Sequence, residues 1–234
     1  MSTDRRIYVT VAATGDAGKT IIARHVIAPG SGGDLLTLET HSPDDGSGLI
    51  DEAALGAYLY APPGDGTVLD IGVGDAVAAL ETLALIARQD RSLPQRLRLV
   101  VPLLPAGKCV AGLRWLIAQL PESLRPAVHA VWNRVRREDE ASLRDGEIAR
   151  AARAVARQSG ARLIAPVLHE SPLLDPIHPL MRRYGSLAAV AGITDDEIRA
   201  ASLSDMPPLL VGRDAAQAAV ADCRAIYTAI NDRN

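Results

Sequence analysis

The chain has 234 residues, of which 48% are hydrophobic, and its formal net charge is -3 at pH 7. This length suits one α/β domain that buries a sheet on both faces, so we expect residues 1–234 to form a single domain. The charge excludes a global attraction to nucleic acid or anionic lipid and leaves only local patches for such contacts. Two cysteines and the absence of an apolar run near the roughly 20 residues of a membrane span favour a reducing cytoplasm.

The first apolar run, Ile7 to Ala13, predicts a buried strand that leads into the octet ATGDAGKT, Ala13 to Thr20. The octet fits the A/G-x-x-x-x-G-K-S/T pattern of a phosphate-binding loop. In such loops backbone N–H groups surround phosphates, while a lysine and a hydroxyl reach the terminal phosphate and its Mg²⁺. Apolar residues then recur at helical spacing from Ile21 to Val26. The expected nucleotide-binding residues of this segment are Gly15, Asp16, Ala17, Gly18, Lys19, Thr20 and Ile21.

Further apolar runs alternate with helical patterns along the chain. The runs predict five more strands, at Leu35–Leu38, Val68–Ile71, Leu97–Leu104, Val128–Trp132 and Arg162–Val167. Most are nearly continuous, as expected for strands covered on both faces. The alternation predicts an α/β fold with a doubly wound, mostly parallel sheet and helices on both faces, whose ligands bind beyond the carboxyl ends of the strands. A last pattern, from Val220 to Ile230, predicts a helix packed back on the domain.

Polar residues at other strand ends complete a candidate nucleotide site. Asp70 lies in an apolar strand before a glycine, as does a carboxylate that holds Mg²⁺ through water, although it also suits loop closure or a cap on the helix near Asp75. Glu39 and Asp44 lie in an acidic loop that can sense the γ-phosphate, and such loops are also common without that role. Asn133 ends a strand, where an amide can read a purine edge or simply form a turn.

Together these segments resemble the deviant-Walker ATPases of the ParA and MinD superfamily, over about residues 5 to 175. The block from Gly18 to Pro29 is similar to the StbB-type plasmid-stability branch. The resemblance implies a P-loop NTPase fold and an ATP-dependent homodimer that switches partner proteins on hydrolysis. It also implies Lys19 on the β- and γ-phosphates, Thr20 and Asp70 on Mg²⁺, and Asn133 beside adenine.

Two positions depart from that superfamily. Thr14 occupies the place of the signature lysine that reaches the partner subunit's nucleotide, and we hypothesise that Lys108, the only other lysine besides Lys19, replaces it. An exposed loop lysine is the alternative. His41 stands where relatives place the acid that orients the attacking water, and a neutral histidine is a poorer substitute for a carboxylate. We therefore expect slow hydrolysis.

A stripe of arginines on one predicted helix face, Arg150, Arg153 and Arg157, suits DNA phosphates without base reading, and equally suits a solvated face. The leading expectation is a cytoplasmic, nucleoid-associated ATPase switch for plasmid partition or related cargo. It would act with a partner protein and nonspecific DNA, without a membrane. Two alternatives stay open: a metabolic P-loop enzyme, such as a dethiobiotin-synthetase-like ligase or a small-molecule kinase, and a weakly hydrolysing nucleotide-binding scaffold.

Overall fold

The computed structural model describes residues 6–15, 17–38, 52–60, 66–170 and 174–232. The described strands are β1 (Ile7–Thr10), β2 (Leu35–Leu38), β3 (Val68–Ile71), β4 (Leu97–Leu103), β5 (Val128–Trp132) and β6 (Arg162–Ile164). They form one six-stranded sheet in the order β2-β3-β1-β4-β5-β6. Every pairing among them is parallel, which confirms the predicted α/β class and sharpens "mostly parallel" to all-parallel for the described strands.

Helical segments connect the strands and form a C-terminal group. The first, α1 (Lys19–Ile21), continues through a π-helical stretch (Ile22–Ile27) into α2 (Ala28–Ser31). Short 3₁₀ helices occupy Glu122–Ala127 and Arg137–Asp139. The other described helices are α3 (Glu52–Tyr60), α4 (Ala76–Gln89), α5 (Leu93–Arg96), α6 (Gly107–Gln119), α7 (Glu140–Asp145), α8 (Glu147–Ser159), α9 (Leu174–Tyr184), α10 (Leu187–Ala191), α11 (Asp195–Ala200) and α12 (Met206–Asn231).

The sheet separates two apolar cores because successive residues of a strand point to opposite faces. On β1, Ile7 and Val9 enter a core shared with α3, α4, α6 and α8. Tyr8, between them, enters a second core shared with the π-helical stretch, α10 and α12. Covering both faces explains why the strands are nearly continuous apolar runs.

The predicted final helix is α12, and it packs against the helix that follows the loop between β1 and α1. Its Tyr227 hydroxyl lies 3.1 Å from the Tyr8 hydroxyl, and Asn231 accepts hydrogen bonds from Tyr8 at 2.9 Å and from Arg6 at 2.6 Å. Gly30 lies against the Tyr227 ring, with no room for a Cβ atom between them. These contacts hold α12 to the sheet and to α2.

Strand bounds follow the sequence predictions closely. β2, β3 and β5 have the predicted limits, whereas β1, β4 and β6 end one to three residues early. On α4, Ala79, Leu80 and Leu83 form the buried face, whereas Val77 is 42% exposed. Among the described helices, none combines the length and apolar character that a membrane crossing needs.

Candidate nucleotide site

The loop between β1 and α1 lies at the carboxyl end of the central strand. β2 and β3 lie on one side of this strand and β4, β5 and β6 on the other. Its last residue, Gly18, has φ +77° and ψ +33°, a left-handed conformation that glycine adopts without steric cost. The Gly18 carbonyl accepts the first helical hydrogen bond, from the Ile22 N–H at 3.1 Å. Ala17 is buried beneath this turn. The loop therefore closes into the helix as the octet pattern predicts.

A buried carboxylate joins this loop to β3. Asp70 is fully buried, and its Oδ1 and Oδ2 accept hydrogen bonds from the hydroxyls of Thr10 and Thr20, each at 2.6 Å. The Lys19 Nζ lies 3.7 Å from Asp70 Oδ1, with its side chain only 11% exposed. A carboxylate surrounded by two hydroxyl donors and an ammonium is compensated for its burial. The structure thus brings Lys19, expected on the phosphates, together with Thr20 and Asp70, expected on Mg²⁺.

The residue types at this point fit Mg²⁺ and phosphate. A carboxylate and a hydroxyl supply the oxygen ligands that Mg²⁺ accepts. Thr20 lines a cleft of about 360 Å³, and its hydroxyl donates to the buried Asp70 carboxylate. The helix that starts at Lys19 has its N-terminal residues Lys19 and Thr20 in the lining of the same cleft, and helix N-termini favour anions. The lining residues are Thr14, Ala17, Gly18, Lys19, Thr20, Ile21, Val73 and Arg134.

Asn133, which follows β5, is turned inward onto the loop. It is 1% exposed, and its Nδ2 donates to the Ala17 carbonyl at 2.8 Å while its Oδ1 accepts from the Arg134 N–H at 2.9 Å. A Cβ atom on Gly18 would collide with this amide. The side chain therefore fastens the carboxyl end of β5 to the loop. Its contact with a purine stays a prediction, for which one amide hydrogen and one lone pair remain.

A smaller apolar cavity opens beside the cleft, on the β5 side. Ile21 and Arg134 line both spaces. The cavity is closed by Leu168, Met181 and Cys223, among others. Burial, with a contribution from the Asp222 charge, raises the pKa of the Cys223 thiol to about 12, so this thiol is uncharged at neutral pH. The combined space has a polar end at β3 and an apolar end at β5.

Helix α6 contacts the beginning of the loop. The Cys109 thiol lies 3.7 Å from the Thr14 hydroxyl, and a Cβ atom on Gly112 would lie 3.1 Å from the Ala13 Cβ. Lys108 precedes Cys109 in the first turn of α6 and is exposed. The structure therefore places Lys108 at the edge that carries the loop, and its action on a second subunit stays a hypothesis.

Other predicted site residues divide into described and undescribed ones. Gly15 is described and has open space around it, whereas Asp16, Glu39, His41 and Asp44 lie outside the described residues. The arginine stripe lies on α8 as expected. Arg150 and Arg157 are exposed, Arg153 is half-buried, and the Arg150 guanidinium donates to the Asp145 carbonyl at 2.6 Å.

Two contributors to the site were missed by the sequence analysis. Thr10 is the second hydrogen-bond donor to Asp70, and the β1–β3 register pairs the two residues directly. The sequence held a signal for this contact, because each is a polar residue within an apolar strand. Arg134 lines the cleft through an unusual backbone conformation, φ +53°, for which the sequence carries no signal.

No protein-family model matches the chain, and no curated protein matches its sequence. The site consists of a left-handed glycine before a helix, the β3 carboxylate Asp70 contacted by Lys19 and Thr20 of that helix, and the Asn133 amide after β5, which holds the loop.

Proposed function

We propose that the chain is a P-loop ATPase that binds MgATP in this cleft, hydrolyses it slowly and uses it as a dimerisation switch. The observation that carries the proposal is the cluster of Lys19, Thr20 and Asp70 around the loop at the carboxyl edge of the sheet. A lysine, a hydroxyl and a strand-end carboxylate are the groups that hold a Mg²⁺-bound triphosphate in such sites. Bound Mg²⁺ would neutralise phosphate charge.

Sheet order supports a direction for the nucleotide. Asp70 lies on β3, next to β1 on one side, whereas Asn133 follows β5, two strands from β1 on the other side. With strands about 4.8 Å apart, β3 and β5 are separated by roughly 14 Å across the edge. Phosphates therefore lie toward β3 and the base toward β5, against the apolar cavity. In this orientation Lys19 holds the phosphates and Asn133 fixes the loop beneath them.

Exposed apolar residues beside the cleft support a second copy as partner. Val73, which lines the cleft, is 39% exposed, and Val77 in the first turn of α4 is 42% exposed. A nucleotide bound at this edge would lie between two such surfaces in a homodimer. A partner protein and nonspecific DNA, through Arg150, Arg153 and Arg157, complete the proposed role in plasmid partition or related cargo positioning.

The test combines product analysis with sedimentation of the full chain in Mg²⁺ and ATP, in ADP, and without nucleotide. We expect ADP and phosphate as the products, with dimers in ATP and monomers in ADP. Val77→Asp should prevent the dimer without abolishing ATP binding, and Leu85→Asp, at an exposed position two turns further along α4, is the matched control. A product other than ADP and phosphate would establish a metabolic enzyme instead. Binding without turnover, even with DNA present, would indicate a scaffold.

DNA binding is tested separately. We expect salt-sensitive binding of nonspecific duplex DNA that requires ATP and weakens when Arg150, Arg153 and Arg157 are replaced together by alanine. Binding that ignores ATP, or that survives the triple substitution, would contradict the DNA role and leave the ATPase proposal intact.

A further inference from the structure

Arg134 has a backbone conformation that its side chain disfavours. Its φ is +53°, and among the described residues it is the sole non-glycine with positive φ. In this region the Cβ atom of an L-residue approaches the following carbonyl oxygen, which is why glycine and asparagine dominate there. Conformations of this kind persist where the surrounding structure imposes them, and they cluster at ligand sites.

Contacts on both sides of Arg134 impose this conformation. The Asn133 N–H donates to the Leu103 carbonyl at 2.8 Å, and the Arg134 N–H donates to Asn133 Oδ1 at 2.9 Å. The next residue, Val135, is fully buried, and its N–H donates to the Leu168 carbonyl at 3.1 Å. The chain must therefore turn at residue 134 between two fixed hydrogen-bonded segments.

This turn carries the arginine side chain to the boundary between the phosphate cleft and the apolar cavity, both of which it lines. Among the described residues, its guanidinium has no hydrogen bond or ion pair with another side chain. Nearby Arg136 differs, since its guanidinium lies 3.6 Å from Glu170. An unpaired, exposed guanidinium held at a cleft by a disfavoured backbone is available for a ligand.

We propose that the Arg134 guanidinium stacks on the base of the bound nucleotide and closes the apolar cavity over it. The inference rests on the proposed ATP site. Arg134 follows β5, three strands along the sheet from the strand that carries Asp70, and it also lines the apolar cavity, so it is positioned for the nucleoside rather than the terminal phosphates. A planar guanidinium stacks on flat aromatic rings, and the cavity walls also include the apolar side chains of Leu168 and Met181, which suit the other face of a ring.

The test compares ATP with inorganic tripolyphosphate, which has the phosphates and lacks the base. Binding of each is measured by calorimetry with Mg²⁺ for the wild type, Arg134→Ala, Arg134→Lys and the control Arg137→Ala, an exposed arginine three residues away. Arg134→Ala should weaken ATP binding about tenfold and change tripolyphosphate binding less than twofold. Arg134→Lys should resemble Arg134→Ala, because lysine keeps the charge and loses the planar group, and Arg137→Ala should resemble the wild type.

A further variant separates the side chain from the backbone. Arg134→Gly should melt at the same or a higher temperature than wild type, because glycine adopts φ +53° freely, while losing ATP affinity as Arg134→Ala does. Equal weakening of both ligands by Arg134→Ala, full rescue by Arg134→Lys, or no change in ATP affinity would overturn the stacking role. Wild-type protein that binds neither ligand would instead overturn the ATP site itself.

Discussion

The contact between Gly18 and Asn133 makes the arrangement of the loop testable by stability alone. The perturbation is Gly18→Ala. At φ +77° an alanine is strained, and its Cβ would lie well under 3.0 Å from the Asn133 Nδ2, closer than real Cβ atoms approach. The buried amide would have to leave the Ala17 carbonyl to which it donates at 2.8 Å.

The size of the effect follows from these two terms. A left-handed alanine costs roughly 1–2 kcal/mol, and a buried amide displaced from its partner costs about 1–3 kcal/mol. We therefore expect Gly18→Ala to lower the free energy of unfolding by roughly 2–5 kcal/mol. Asn133→Ala alone leaves the Ala17 carbonyl and the Arg134 N–H without their partner, at a cost of about 2 kcal/mol. In the double variant the new Cβ atom has no Asn133 amide to displace, so the combined loss should fall short of the sum by that amide cost, about 1–3 kcal/mol.

The assay is urea unfolding of the wild type, both single variants and the double variant. Gly15→Ala is the matched control, because a Cβ on Gly15 has no atom within 4 Å and its φ is not positive. Its loss should stay within about 0.5 kcal/mol. Losses that add within about 0.5 kcal/mol, or a Gly18→Ala loss as small as that of Gly15→Ala, would refute the packing of Asn133 on the loop.

Three further predictions concern acid stability, α6 and α12. Burial, with Arg98 and Arg162 nearby, lowers the pKa of His129 to about 3. Between that pKa and the ordinary one, His129 is protonated in the unfolded chain and neutral in the folded chain, so acid favours unfolding. Between pH 7 and 4 the free energy of unfolding of the wild type should fall by roughly 3 kcal/mol more than that of His129→Leu. If the two free energies fell in parallel with pH, this prediction would be wrong. Lys108→Ala should lower ATPase activity and ATP-induced dimerisation about tenfold. Wild-type values for both would contradict the hypothesis that Lys108 replaces the signature lysine whose place Thr14 occupies. Gly30→Ala should cost about 1–3 kcal/mol of unfolding free energy because its Cβ meets the Tyr227 ring, while Gly56→Ala, a helical position with open space, should be neutral or stabilising; equal effects would contradict the packing of α12.

Much of the fold could be predicted from local pattern. Near-continuous apolar runs mark β2, β3 and β5 to the residue, because strands covered on both faces need apolar side chains throughout. β6 is shorter than its run, since it pairs only with β5 and is followed by Pro166, which cannot donate to a ladder. Local patterns thus locate strands well and their ends less well.

The site was predictable where one segment carries it and less so where distant segments meet. The octet predicts the positions of Gly18, Lys19 and Thr20, since spacing along the chain determines them. The inward turn of Asn133 depends on sheet order, which brings β5 within reach of the loop. Likewise the φ of Arg134 depends on hydrogen bonds to β4 and to the segment after β6, which no local pattern encodes.

Calorimetric titration of the wild-type chain with ATP, with and without Mg²⁺, tests the central claim most directly. We expect saturable binding of one ATP per chain that strengthens with Mg²⁺. Lys19→Ala should abolish it, and Asp70→Asn should remove the Mg²⁺ dependence. Absence of binding by the folded wild type, or binding that neither substitution changes, would contradict a nucleotide site at this loop.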